Sequence, residues 1–166
     1  VLELGHGPGH LQVRLMENGL SVYGLDESRQ MGRQAARRIS QQGFTPRLVC
    51  GDARALPYPA GSFQTIVATF PTEYIIHPDT LREIRRTLAP GGRLVVLASA
   101  VFSGPGLLDR ALALLFRITG QAAPPFGSDA DPLQPFLDAG LQAALHWVEA
   151  KNNRLLFLIA EEDLLK

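Results

Sequence analysis

The apolar positions of this chain change their period again and again. Val1 to Leu4 is an apolar run too short for a helix, and Gly5, Gly7 and Gly9 interrupt it. Leu11, Val13, Leu15 and Met16 then recur at helical spacing until Gly19, which predicts a strand, a glycine turn and a helix. Val22 to Leu25 forms a second run ending in Asp26, after which Ser28 is placed to cap a polar helix from Arg29 to Gln42 that Gly43 stops. Arg47 to Cys50 reads as a third strand leading into Gly51 and Asp52, and Phe63 to Phe70 as a fourth, behind a loop holding Pro57 and Pro59. Pro78 suits a first helical turn, Leu81, Ile84 and Leu88 mark one helix face, and Pro90, Gly91 and Gly92 stop that helix before a fifth strand at Leu94 to Ala98.

Strands alternating with helices predict a mostly parallel sheet covered on both faces. The tail breaks the rhythm, with a helix near Leu107 to Ile118, a Pro- and Gly-rich loop from Gly120 to Gly127 and another helical stretch from Leu133 to Ala139. Two strand-like runs follow, Leu141 to Glu149 and Arg154 to Glu161, and Lys151, Asn152 and Asn153 between them read as a hairpin loop.

Composition narrows the partners. The 166 residues suit one domain, read as spanning 1–166, and since the first residue already lies within a strand, an N-terminal segment is expected to be missing. Sixteen basic residues balance sixteen acidic ones, so no positive field exists to hold a nucleic acid, and the arginines Arg33, Arg37 and Arg38 read as a solvated face. One cysteine excludes a disulfide framework or a cysteine zinc site and suits a cytoplasmic protein. Cys50, His146 and Trp147 read as packing, and no metal cluster is expected. The richest apolar stretch, Leu107 to Ile118, is too short for a membrane span and carries Asp109, Arg110 and Arg117.

In an open parallel sheet ligands bind at the carboxyl ends of the strands, where this chain places Gly5 to Gly9, Asp26, Asp52 and Phe70 to Glu73. Glycines let backbone approach a ligand, the following helix offers free N–H groups, and a carboxylate ending the second strand can accept both hydroxyls of a ribose. The residues therefore point to an adenosine-containing ligand. A dinucleotide fingerprint counted from Gly5 would need glycine at position 10, but that residue is His10 and the third glycine comes one position early, at Gly9.

With Glu3 in front, the run Glu3-Leu4-Gly5-His6-Gly7-Pro8-Gly9 resembles the first motif of class I S-adenosylmethionine-dependent methyltransferases. Gly24-Leu25-Asp26 with Ser28 and Met31 is similar to the second motif, and Gly51-Asp52-Ala53 with Leu56-Pro57 and Ser62-Phe63 looks like the third region. Leu88 to Leu94 resembles the turn before strand five, and the terminal hairpin resembles strands six and seven. The chain departs from that pattern at His6, at Glu27 after the ribose carboxylate, and at Gln64 after Phe63.

The resemblance implies an α/β, Rossmann-like, doubly wound and mostly parallel seven-stranded sheet with an antiparallel C-terminal hairpin. It implies S-adenosyl-L-methionine as cofactor, with Gly5, Gly7 and Gly9 lining the methionine part and His6 within the same loop. Glu3 would hold the loop or the amino end through water, and Asp26 would take the ribose hydroxyls. Asp52 would accept the adenine amino hydrogen, Ala53 would offer its N–H, and Thr69 or Phe70 would face the activated methyl.

Transfer from a sulfonium needs positioning above all, and a base only where the acceptor must lose a proton. Glu73, Tyr74 and His77, which follow the fourth strand, are the candidates for base or substrate anchor, with helix capping the competing reading of His77. The acceptor is expected to be a small molecule, and residues 101–140 are a candidate substrate lid whose apolar stripe suits an apolar substrate or a peripheral membrane contact. Two other readings stand beside this one: an NAD(P)-dependent oxidoreductase on a related fold, and a cofactor-binding domain without activity.

Overall fold

The computed structural model describes residues 1–102, 131–150 and 153–162. In chain order the elements are β1 (Leu2–Leu4), α1 (His10–Glu17), β2 (Tyr23–Asp26), α2 (Arg29–Gln41), β3 (Leu48–Cys50) and β4 (Phe63–Thr69). A 3-10 turn at Glu73–Ile76 leads into α3 (Pro78–Thr87), β5 (Leu88–Phe102), α4 (Gln134–Asp138), β6 (Leu141–Ala150) and β7 (Asn153–Glu162).

The strands form one seven-stranded sheet in the order β3-β2-β1-β4-β5-β7-β6. The first five strands in chain order pair in parallel, whereas β7 lies antiparallel between β5 and β6. The expected doubly wound sheet with its terminal hairpin is therefore present. The connecting residues 151–152 lie outside the described residues, as do the expected helix at 107–118, the loop at 120–127 and most of the 101–140 insertion.

Successive residues of a strand face opposite sides of the sheet. On one side the register lines up Leu2, Ile66, Leu94, Ala160 and Ala143 across five strands. Leu81 and Ile84 of α3 and Phe136 of α4 belong to the same buried cluster, so both helices cover this face. Burying each such Leu, Ile or Phe side chain contributes roughly 1.5–3 kcal/mol. On the opposite side Glu3 meets Gln12 of α1, and α1 in turn packs on α2.

Two helix starts follow from local chemistry. Ser28 Oγ accepts the Met31 N–H at 3.3 Å, and Pro78 occupies the first turn of α3. The fifth strand, expected from Leu94, instead begins pairing at Leu88, opposite Phe63, and resumes at Arg93 opposite Thr65. The residues between form a bulge, and an added Cβ at Gly92 would lie 2.8 Å from the Ala89 carbonyl and 3.0 Å from that of Phe63. This is why a Pro-Gly-Gly sequence sits inside a pairing region without continuing the ladder.

Candidate functional site

The carboxyl ends of β1, β2 and β4 converge on the glycine loop. Gly5, Gly7 and Gly9 adopt φ of 68°, 52° and 81°, the left-handed region that a Cβ disfavours by roughly 1–2 kcal/mol per residue. The Gly5 N–H bonds the Leu25 carbonyl at 2.8 Å, while Gly9 starts α1 so close to α2 that an added Cβ would stand 2.8 Å from Ala35 Cβ.

Asp26 fastens this loop to the second strand. Its Oδ2 accepts the Gly7 N–H and its Oδ1 the Ser28 N–H, both at 2.8 Å. A carboxylate oxygen has two lone-pair positions, so each oxygen retains acceptor capacity after these bonds.

A crevice of about 250 Å³ opens beside the loop, lined by Gly5, Leu25, Asp26, Glu27, Ala53, Thr72 and Tyr74. Four of these, Gly5, Asp26, Ala53 and Tyr74, are residues that the sequence singled out. Leu25 and Glu27 flank Asp26 in the chain, but Thr72 lies three residues beyond the end of β4 and carries no signal of its own. The Tyr74 hydroxyl donates to the Leu4 carbonyl at 3.3 Å and stands 3.0 Å from where a Gly5 Cβ would be. Burial raises the Tyr74 phenol well above its ordinary range, and the carboxylates of Asp26, Glu3 and Glu27 push the same way. Tyr74 is therefore a hydrogen-bond donor in this site, not a base.

Glu3 lies behind the crevice, only 1% exposed, and its Oε2 accepts from Gln12 Nε2 at 2.8 Å. Burial pushes its carboxyl up to about 7 against the Gln12 bond, which pulls it down, and nearby Asp26 adds to the rise. His6 turns beneath the loop: its Nδ1 donates to the Gly7 carbonyl at 2.7 Å and its ring lies where a Gly24 Cβ would fall. The His6 side chain is thus a buried support of the loop and not part of the crevice wall. Gln12, fully buried, went unread because periodicity treats a glutamine as a solvent position.

Asp52 precedes the lining residue Ala53, but its carboxylate is gripped by Arg54, whose Nε lies at 2.8 Å and whose second guanidinium nitrogen lies at 2.6 Å. Those side-chain bonds, with the Arg54 backbone N–H, hold the Asp52 carboxyl below its usual range. Thr69 ends β4, and Phe70 follows with φ of 48°, a left-handed geometry uncommon outside glycine and often found beside functional sites. Glu73 is exposed at the start of the 3-10 turn. His77 caps α3, its Nδ1 accepting the Asp79 N–H at 3.2 Å, so the capping reading holds for that nitrogen.

Among the described residues no group of three or more His, Cys, Asp or Glu is placed to hold a metal, and no helix is long and apolar enough to cross a membrane. A larger cleft of about 550 Å³ lies between α3 and α4, with Ile76, Leu81, Arg82 and Arg85 in its walls. No glycine lines it, and its carboxylate, Asp138, accepts from Gln134 Nε2 at 2.7 Å.

The geometry agrees with what comparison finds. A family model described as a methyltransferase domain matches residues 1–92. The chain is similar to a demethylmenaquinone methyltransferase of Thermus thermophilus, 36% identical over 129 residues, covering 76% of this chain and 56% of the relative. It is also similar to the ubiquinone/menaquinone biosynthesis C-methyltransferase UbiE of Paraburkholderia phymatum, 33% identical over 138 residues, covering 79% of this chain and 55% of that protein. The chain therefore spans little more than half the length of these curated relatives. A crystal structure of a SAM dependent methyltransferase from Aquifex aeolicus superposes with a TM-score of 0.71 at 17% identity, covering 98% of this chain and 81% of that one. At that identity the superposition speaks to the fold.

Proposed function

Because the chain belongs to the methyltransferase-domain family, we propose that it binds S-adenosylmethionine in the crevice beside Gly5 and transfers a methyl group to a small-molecule acceptor. The observation that carries this reading is the pairing of the glycine loop with Asp26, which presents backbone and a carboxylate with spare acceptor positions to one crevice. A ribose brings two hydroxyl donors, which is what an acceptor-only group can use.

The residues fit the group in other respects. Gly5 and Gly7 leave backbone uncovered where a side chain would stand, and Gly5 lies against Tyr74 closely enough that even a methyl would crowd its hydroxyl. Ala53, nearly buried at the crevice wall, is placed to meet the base, with its neighbour Asp52 shared between Arg54 and the adenine amino group. Leu25 supplies an apolar wall, and Glu27 makes the adjoining rim acidic.

Once bound, S-adenosylmethionine supplies a methyl already activated by its positive sulfur. The task left to the chain is to hold the nucleoside still and aligned, a contribution that can reach roughly 7–11 kcal/mol for well-oriented reactants. Thr69, Phe70 and Thr72 follow one another at the end of β4 nearest the reacting side, and the Tyr74 hydroxyl, bonded to the Leu4 carbonyl, closes the wall beside Gly5. Proton removal, where the acceptor requires it, falls to Glu73, whereas His77, whose Nδ1 accepts the Asp79 N–H, presents Nε2 as a donor and serves as a substrate anchor. The acceptor is an apolar small molecule, a reading supported by the quinone-biosynthetic names of the two relatives above.

Thermal unfolding with added ligand tests the cofactor. A ligand at 100 times its dissociation constant stabilises the fold by about 2.7 kcal/mol, so S-adenosylhomocysteine should raise the melting temperature and NAD should not. Stabilisation by NAD alone would overturn the proposal. Transfer of labelled methyl into a metabolite extract then separates an enzyme from a silent binder.

A further inference from the structure

The wall that carries Asp52 and Ala53 belongs to a segment with no regular element of its own, running from Gly51 to Ser62 between β3 and β4. A connection of about a dozen residues without secondary structure is long for a compact domain and would ordinarily wander. Here it is tied to one side of α3. Glu83 Oε2 accepts the Leu56 N–H at 2.8 Å. The Arg86 guanidinium donates to the Leu56 carbonyl at 3.0 Å and to the Tyr58 carbonyl at 2.8 Å. The two side chains also grip each other, Arg86 Nε meeting Glu83 Oε1 at 2.8 Å and a terminal nitrogen meeting Oε2 at 2.7 Å. Finally, the Arg86 carbonyl accepts the Gly61 N–H at 3.0 Å, so the segment is pinned near its middle and near its end.

Neither side chain lines the cofactor crevice. An arginine fork aimed at two carbonyls and a carboxylate is rigid in a way that a lysine is not. Leu56, only three residues after Ala53, is drawn into the core by these bonds at 5% exposure, and Tyr58 is set edge-on against Phe63 with ring centroids 5.0 Å apart. The short stretch between Ala53 and Leu56 leaves the crevice wall little freedom to move once Leu56 is fixed.

We propose that Glu83 and Arg86 form a clamp that positions the base-reading wall at Asp52 and Ala53, so that they set the discrimination between adenine and other purines without touching the ligand. This rests on the cofactor reading above, and it assigns to α3 a part in recognition beyond its packing role. The partner chemistry is that of a purine whose exocyclic group must lie opposite a wall held in one place.

Calorimetric titration with S-adenosylhomocysteine and with S-inosylhomocysteine, in which oxygen replaces the 6-amino group, tests the clamp. The unaltered protein should prefer the adenosyl compound by at least about tenfold, the order of one well-formed hydrogen bond. In Arg86→Met and in Glu83→Gln that preference should shrink toward unity, and Arg86→Lys should recover part of it. A preference that stays the same in both variants, whether the two affinities hold or fall by equal factors, would reduce the clamp to a structural tie and overturn the inference. Tryptic cleavage after the exposed Arg54, followed without ligand, gives an independent arm: it should accelerate about tenfold in both variants, and an unchanged rate would also refute the clamp. Should the unaltered protein bind neither compound, the cofactor reading fails, while the cleavage rates still decide whether the segment is held by α3.

Discussion

Replacing Asp26 by asparagine probes the centre of the site with almost no change in shape. The two carboxylate oxygens accept backbone N–H groups from Gly7 and Ser28, so an amide that keeps one oxygen must leave one of those donors facing another donor. A hydrogen bond to a charged group contributes about 1.5–3 kcal/mol, and the free protein should lose stability of that order. Ligand binding should suffer a second loss of similar size, because only one oxygen remains for the ribose diol. At 1.4 kcal/mol per factor of ten, affinity for S-adenosylhomocysteine should fall roughly 10- to 150-fold. The decisive assay is a calorimetric cycle that crosses Asp26→Asn with a ligand lacking the 2′-hydroxyl. If Asp26 meets the ribose, removing that hydroxyl should cost less in the variant than in the unaltered protein, with a coupling of about 0.5–3 kcal/mol. Equal costs in the two proteins, or an affinity untouched by the substitution, would refute the placement of the ribose.

Further expectations concern the groups behind the crevice. Glu3 has its carboxyl raised by burial from a usual value near 4.5 to about 7, so the folded state holds the proton more tightly than the unfolded chain. Stability from this group is full below about pH 4.5, is lost as the pH rises to about 7, and is level above that, a fall of about 3 kcal/mol. Urea unfolding at pH 5 and pH 8 should show most of that fall in the unaltered protein and not in Glu3→Gln; a difference between the two proteins that is flat with pH would contradict it. Gly9→Ala combines a φ of 81° with a Cβ placed 2.8 Å from Ala35 Cβ. Left-handed strain and overpacking together should cost about 2–5 kcal/mol, and an unchanged melting temperature would show that the α1–α2 contact is looser than described.

The first four strands and the first two helices were readable to within a residue or two because short-range features define them. Glycines end the helices, Ser28 caps one, and the apolar runs alternate with polar segments. That Asp26 and Gly5 line a crevice is legible for the same reason: a strand end followed by a turn marks where a parallel sheet opens its ligand cleft. What stayed hidden depends on distant partners. The early start of β5 at Leu88 requires Phe63 as its neighbour, and no local pattern announces that pairing. Its place in the chain puts His6 within the glycine loop, yet the space left by Gly24 draws its ring below that loop. Gln12 is buried because Glu3 and the Tyr23 carbonyl both accept from it, a polar match that hydrophobic periodicity cannot register. Glu83 and Arg86 carry no local signal, and it is the fold that brings the 51–62 segment against them.

Every described wall of the crevice lies at or before Tyr74, while β5, β7 and β6 join that half only along the edge of β4. The Pro90–Gly92 bulge marks the seam between the two halves. A hybrid spliced there would take its crevice walls from one parent and the β5, β7 and β6 edge of its sheet from the other. Modularity of this kind would let the far edge of the sheet be exchanged while the crevice keeps its walls.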